Sequence, residues 1–166
     1  YTTPLLVDVN GTTQLLSTGA DSIVAYNPRT GDEYWWFRFD GYSNVLRPVV
    51  GKGLVFISSG YDGPEFYAVR IDGSGDVTES HLAWNMKKAS PLNPSPLIVG
   101  DELYLVSDNG IATCLDAVTG EQHWQERLGG NFSASPTFAD GRIYLLDEEG
   151  TTTVIALEAA VTLRHH

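Results

Sequence analysis

The string TGEQHW runs from Thr119 to Trp124, and TGDEYW runs from Thr30 to Trp35. Thr, Gly and Trp stand at the same offsets, 89 positions apart (119 − 30). Each string follows a segment with an Asx residue, AYNPRTG with Asn27 and LDAVTG with Asp116. A side-chain oxygen there hydrogen-bonds backbone N–H groups two residues on and fixes a turn. Gly31 and Gly120 then supply the left-handed conformation that closes it. The Trp four residues after Gly enters the next extended run. A ring at such a fixed position buries some 150–250 Å² and suits packing of one sheet on another. Trp84, in SHLAWNM, holds the same slot after the longer turn DGSGDVTESH. The shared strings read as architecture.

The same period extends along the chain. Pro followed by an apolar pair recurs at Pro4, Pro48, Pro96 and Pro136, at intervals of 44, 48 and 40. A second short run follows each time: QLLSTG from Gln14, LVFISSG from Leu54, LYLVSDNG from Leu103, IYLLDEEG from Ile143. A third begins at Ser22, Phe66, Ile111 and Thr153, and an aromatic fourth at Tyr34, Leu82 and His123. These runs are short, rich in Val, Ile, Leu, Tyr and Phe, and bounded by Gly, Asp, Asn and Pro, which is strand-and-turn grammar. ALEAAVTLR from Ala156 is the one helix-like stretch. Four strands per 40–48 residues is the period of a β-propeller blade. The expectation is all-β: fifteen strands in one arc over residues 1–163, with blade units 1–45, 46–93, 94–134 and 135–163.

Composition bounds the function. The 166 residues carry a formal net charge of −11 with only ten Lys plus Arg, which argues against a nucleic-acid partner. No stretch has the ~20 consecutive apolar residues of a transmembrane helix. The single cysteine, Cys114, excludes an internal disulfide and a multi-cysteine zinc site, and its apolar setting in IATCLDA reads as packing. No base adjoins it in sequence to lower its pKa.

Other constellations also read as structural. Asp72, Ser74 and Asp76 alternate as in a calcium loop, but Ala83 stands where the bidentate Glu belongs. The two internal histidines, His81 and His123, flank the Trp slot in different units, and with a carboxylate they have the donors for zinc. They read as ordinary core or surface histidines, since equivalent places in different blades need not converge. Tyr61 in YDGPEF and Asp147 in DEEG mark acidic loop tips, Asn10 and Asn131 open glycosylation sequons, and Arg164–His166 resembles a clipped affinity tag. No catalytic, cofactor or metal residue is assigned, and the cofactor is unknown.

CLDAVTGEQHW closely, AYNPRTGDEYW well and AVRIDGSGD…W loosely resemble the tryptophan-docking repeat of the pyrroloquinoline quinone (PQQ)-like propellers. That family includes quinoprotein alcohol dehydrogenases and the outer-membrane assembly lipoprotein propeller. The resemblance implies fold more than function, because the motif is a packing device common to catalytic and non-catalytic members. It also implies a bacterial source and a periplasmic or secreted setting. Many of the dehydrogenases carry a vicinal Cys–Cys pair, a calcium site and a catalytic Asp, and a lone Cys114 cannot supply the pair. Family rings hold seven or eight blades, whereas this chain holds about four. The expectation is a half ring completed by a homodimer, acting as a non-catalytic binding or scaffolding module for a protein partner. A compact four-bladed ring and a swapped strand are the structural alternatives. The functional ones are an enzyme, either a quinoprotein-dehydrogenase remnant or a metal-assisted hydrolase with a central-channel site, and a truncated or artificial fragment.

Overall fold

The computed structural model describes residues 2–42, 44–60 and 63–157. Tyr61, most of ALEAAVTLR, the end of the last blade unit and Arg164–His166 fall outside them. The strands group into four sheets. The first holds β1 (Leu5–Val9), β2 (Thr12–Thr18), β3 (Ser22–Tyr26) and β4 (Glu33–Arg38). The second holds β5 (Val49–Gly51), β6 (Leu54–Ser58), β7 (Phe66–Arg70) and β9 (Leu82–Met86). The third holds β10 (Leu97–Val99), β11 (Glu102–Val106), β12 (Ile111–Asp116) and β13 (Gln122–Arg127). The fourth, among the described residues, holds β14 (Thr137–Ala139), β15 (Arg142–Leu146) and β16 (Thr152–Ala156). Neighbours within each of these meanders pair antiparallel.

Sixteen strands are described where the repeats predict fifteen, and the addition is β8 (Gly75–Asp76). It lies inside DGSGD, the segment expected to be a plain long turn. Instead it runs parallel along β4, pairing Trp35 with Gly75 and Trp36 with Asp76. An outermost strand leaves a row of unpaired N–H and C=O groups, and a short segment laid along it satisfies some of them. Val77, 1% exposed, then plugs into the core beside it.

Local turn chemistry follows the sequence. Asn27 Oδ1 accepts from the N–H of Arg29 at 2.9 Å, and Asp116 Oδ1 accepts from those of Val118 and Thr119 at 2.9 and 2.7 Å. Gly31 and Gly120 have φ of 80° and 73°. The hairpins β1–β2, β5–β6 and β14–β15 close on Asn10–Gly11, Lys52–Gly53 and Asp140–Gly141. Both residues of each pair have positive φ, as the favoured two-residue hairpin turn requires.

The chain divides into two compact units, Tyr1–Leu92 and Asn93–His166. In the first, one face of the first sheet (Leu16, Ile23, Ala25, Trp35, Phe37) packs against Val55, Ile57, Tyr67 and Val69 of the second. In the second unit the corresponding face of the third sheet (Tyr104, Val106, Ala112, Cys114) packs against Ile143, Leu145 and Ile155 of the fourth. In each pair the packed face is made by side chains at i and i+2. Burial alternates along β3 and β15, whereas β6, β7, β11 and β12 are buried at consecutive positions. The opposite face of the first sheet leaves Leu6 59% exposed, and that of the fourth leaves Leu146 45% exposed.

Candidate functional site

The register lines the four sheets up residue by residue. Rows of paired residues cross them as Leu5–Leu16–Ala25–Trp35, Val49–Phe56–Ala68–Trp84, Leu97–Tyr104–Cys114–Trp124 and Thr137–Tyr144–Val154. In the first three sheets the Trp stands beside a small residue: Ala25, Ala68 or Cys114. The same irregularity precedes each Trp. Tyr26 pairs with Glu33 while Ala25 pairs with Trp35, so Tyr34 is an extra, bulged residue. Ala83 and His123 are bulged in the same way before Trp84 and Trp124. A bulge re-aims the side chain it carries.

Trp35 is fully buried and sits in the core between the first two sheets, its Nε1–H donating to Gln14 Oε1 at 2.9 Å. Trp124 is half-buried against the second unit's core, 6.1 Å from the Tyr104 ring. Trp84 packs against Phe56 and Phe66 at 5.9 and 6.0 Å.

Beside each bulge of the first and third sheets lies a cavity, bordered by the loop between β7 and β8 in the first and by the end of β16 in the third. One, of about 260 Å³, is lined by Gln14, Tyr34, Asp72 and Ser74 among others. The other, of about 270 Å³, is lined by Glu102, Tyr104, His123, Trp124, Ile155 and Leu157. The two occupy equivalent places, but the second is chemically richer. The His123 Nδ1 is 3.4 Å from Glu102 Oε1 and 4.0 Å from Cys114 Sγ. The Tyr104 hydroxyl donates to the other Glu102 oxygen. Donor atoms of Glu102, Cys114 and His123 all lie within 4.8 Å of one another.

This revises the reading of Cys114, which has a base beside it after all, brought by β13 rather than by sequence neighbours. Burial first, then the Glu102 carboxylate, push its thiol up to about 11, against the partial relief of the Tyr104 hydrogen bond. The free thiol is therefore protonated at neutral pH and a poor nucleophile. His81 lies in the other unit with partners of its own. Its Nε2 is 3.7 Å from Asp72, and its Nδ1 is 2.7 Å from the Ser80 hydroxyl. Asp72 and Asp76 do not converge as calcium ligands. Asp72 faces Arg70 and His81, while Asp76 accepts from the N–H and hydroxyl of Thr78. Asn10 is exposed in a turn and Asn131 in an irregular loop. Glu102 was not singled out from sequence. Stacking the repeats as columns marks it, because Gln14 and Leu54 hold its position in the first two sheets.

A family model described as outer membrane protein assembly factor BamB matches residues 76–164, more than half of the chain. The chain belongs to this PQQ-like propeller repeat family. BamB of Yersinia pestis is 24% identical over 159 residues, covering 90% of this chain and 39% of its own length. The chain thus spans about two fifths of that relative. Among solved structures, BamB from Moraxella catarrhalis superposes with a TM-score of 0.72 at 16% identity, over 96% of this chain and 48% of that one. The computationally designed Ika4 protein superposes with a TM-score of 0.64 at 13% identity, over 92% of this chain and 89% of the other. At such identities the likeness is one of fold. The four meanders are the blades of a PQQ-like β-propeller, and about four of them make half of a family ring.

Proposed function

We propose that this chain is a non-catalytic binding and scaffolding half-propeller, and that a second copy completes the ring. The observation that carries the proposal is a partly exposed apolar face on the first sheet and another on the fourth. On the first sheet Leu6 shares its outward face with Leu15, Tyr26, Val24 and Trp36; on the fourth, Leu146 shares its face with Tyr144 and Val154. Blade faces bearing large apolar side chains are interface material in a repeat protein. The 48% coverage of a solved family ring matches the span that two copies would close. A closed ring then presents rigid turns for a partner to grip.

The relatives are named for assembly of outer membrane proteins, which supports a protein partner and a periplasmic or secreted setting. The fold's rigidity and the acidic surface suit a platform for protein segments rather than for nucleic acid. Light scattering on the purified chain tests the assembly. The expected mass is twice 18.1 kDa, falling to 18.1 kDa in a Leu6→Glu, Leu146→Glu double variant. A wild-type chain that stays monomeric at tens of micromolar overturns the reading.

A further inference from the structure

The repeat supplies its own control for the cluster beside Trp124. The fold makes the same local arrangement three times, and what it needs there is visible in the first two copies. Next to the Trp stand Ala25 and Ala68; at the bulge, Tyr34 and Ala83; and two residues before Leu16 and Phe56 on the second strand, Gln14 and Leu54. None of these three columns requires a thiol, an imidazole or a carboxylate. In the third sheet all three change together, to Cys114, His123 and Glu102.

We propose that Glu102, Cys114 and His123 form a binding site for one divalent cation of the zinc class, with a further coordination position open to the adjoining cavity. The donor set is one sulfur, one nitrogen and one oxygen. That mixture suits a borderline-soft ion and excludes calcium and magnesium, which take oxygen ligands. Metal–ligand bonds of about 2.0–2.3 Å imply tetrahedral edges of roughly 3.3–3.8 Å. The Nδ1–Oε1 separation of 3.4 Å already fits, while the Sγ–Nδ1 edge of 4.0 Å and the Sγ–carboxylate edge, within 4.8 Å, would shorten on binding.

The site is also placed as an exchangeable centre would be. Cys114 is fully buried, while the side chains of Glu102 and His123 are 40% and 39% exposed on the cavity side, which gives the ion a way in. The cavity of about 270 Å³ has room for water or a small ligand on the ion. Among its described lining residues none is Lys or Arg, so no fixed cation competes for the position. The Tyr104 hydroxyl holds the second oxygen of Glu102 and orients that carboxylate, the outer-shell support that metal ligands ordinarily have.

The proposal is independent of dimerisation, and its test needs no known activity. Titrating the whole chain with Co²⁺ reads the site directly, because a thiolate-to-cobalt charge-transfer band arises only from cysteine ligation and Cys114 is the single cysteine. The histidines at 165 and 166 therefore cannot produce the signal. The expected result is one Co²⁺ per chain with that band, bleached by Zn²⁺. Cys114→Ala abolishes the band and weakens Zn²⁺ binding on the order of 100-fold or more, beyond the loss usual for an outer-shell change. Glu102→Gln and His123→Ala each weaken it at least about tenfold. Each replacement installs what a sister sheet carries at that column, so the fold survives, and the apo variants should show the wild-type circular dichroism spectrum. Absence of the band in the wild type, or Zn²⁺ affinity unchanged in Cys114→Ala, overturns the assignment.

Discussion

The first and third sheets are the same machine built with different parts. Both run through four antiparallel strands, turn on an Asx residue and a left-handed glycine, bulge one residue before a Trp, and border a cavity of similar size. In the first sheet the column beside the cavity is spent on packing. Gln14 accepts from the Trp35 indole, Ala25 makes room for the ring, and the Trp disappears into the core. In the third sheet the indole stays half-exposed, and the same columns bring a carboxylate, a thiol and an imidazole together. Packing and chemistry compete for one set of positions, and the repeat lets one copy specialise without disturbing the scaffold.

The largest test of this contrast is to truncate the two tryptophans. Trp35→Ala removes a fully buried ring and should cost about 3–5 kcal/mol in urea unfolding. Trp124→Ala, at a half-buried position, should cost clearly less. Equal losses would break the comparison.

The next test concerns the indole's partner. Gln14→Leu leaves the buried Trp35 N–H without its acceptor, for a loss of about 1–3 kcal/mol by the same measurement. Glu102→Gln in the third sheet should leave metal-free stability nearly unchanged, because its carboxylate is 40% exposed.

The smallest effect belongs to the turns. Hydrogen bonds from Thr119, first from its N–H and then from its hydroxyl, hold the Asp116 carboxyl below its ordinary value. With the folded value depressed, the contribution is complete above the ordinary carboxylate range and disappears as pH falls through the folded value. Asp116→Ala should lower Tm modestly at neutral pH, and the difference from wild type should shrink in acid. Asp116→Asn, which copies Asn27 of the first sheet, should restore most of the stability and lose the acid dependence.

Much of the fold was legible because it is local and periodic. The turn residues 27–31 and 116–120, the positions of Trp35, Trp84 and Trp124, and the spacing of the strands all follow from chemistry within a few residues of one another. Strand β8 was not legible. Gly75 and Asp76 carry no strand propensity, and they pair only because β4, some forty residues earlier, offers an open edge.

The cluster at Glu102 shows the same division. Its three residue types and their columns stand in the sequence, but their meeting depends on register across three strands. A one-residue slip in a strand sends its side chains to the opposite face, and the bulge at His123 is such a local shift. Sequence by itself therefore determined the repeated four-stranded unit, because periodic apolar runs and turn-forming residues leave the backbone few alternatives. Tertiary structure alone decided which tryptophan is buried, which edge is covered, and that a buried thiol meets an imidazole and a carboxylate. Those outcomes depend on the face to which each pairing turns a side chain, and no short stretch of chain contains that information.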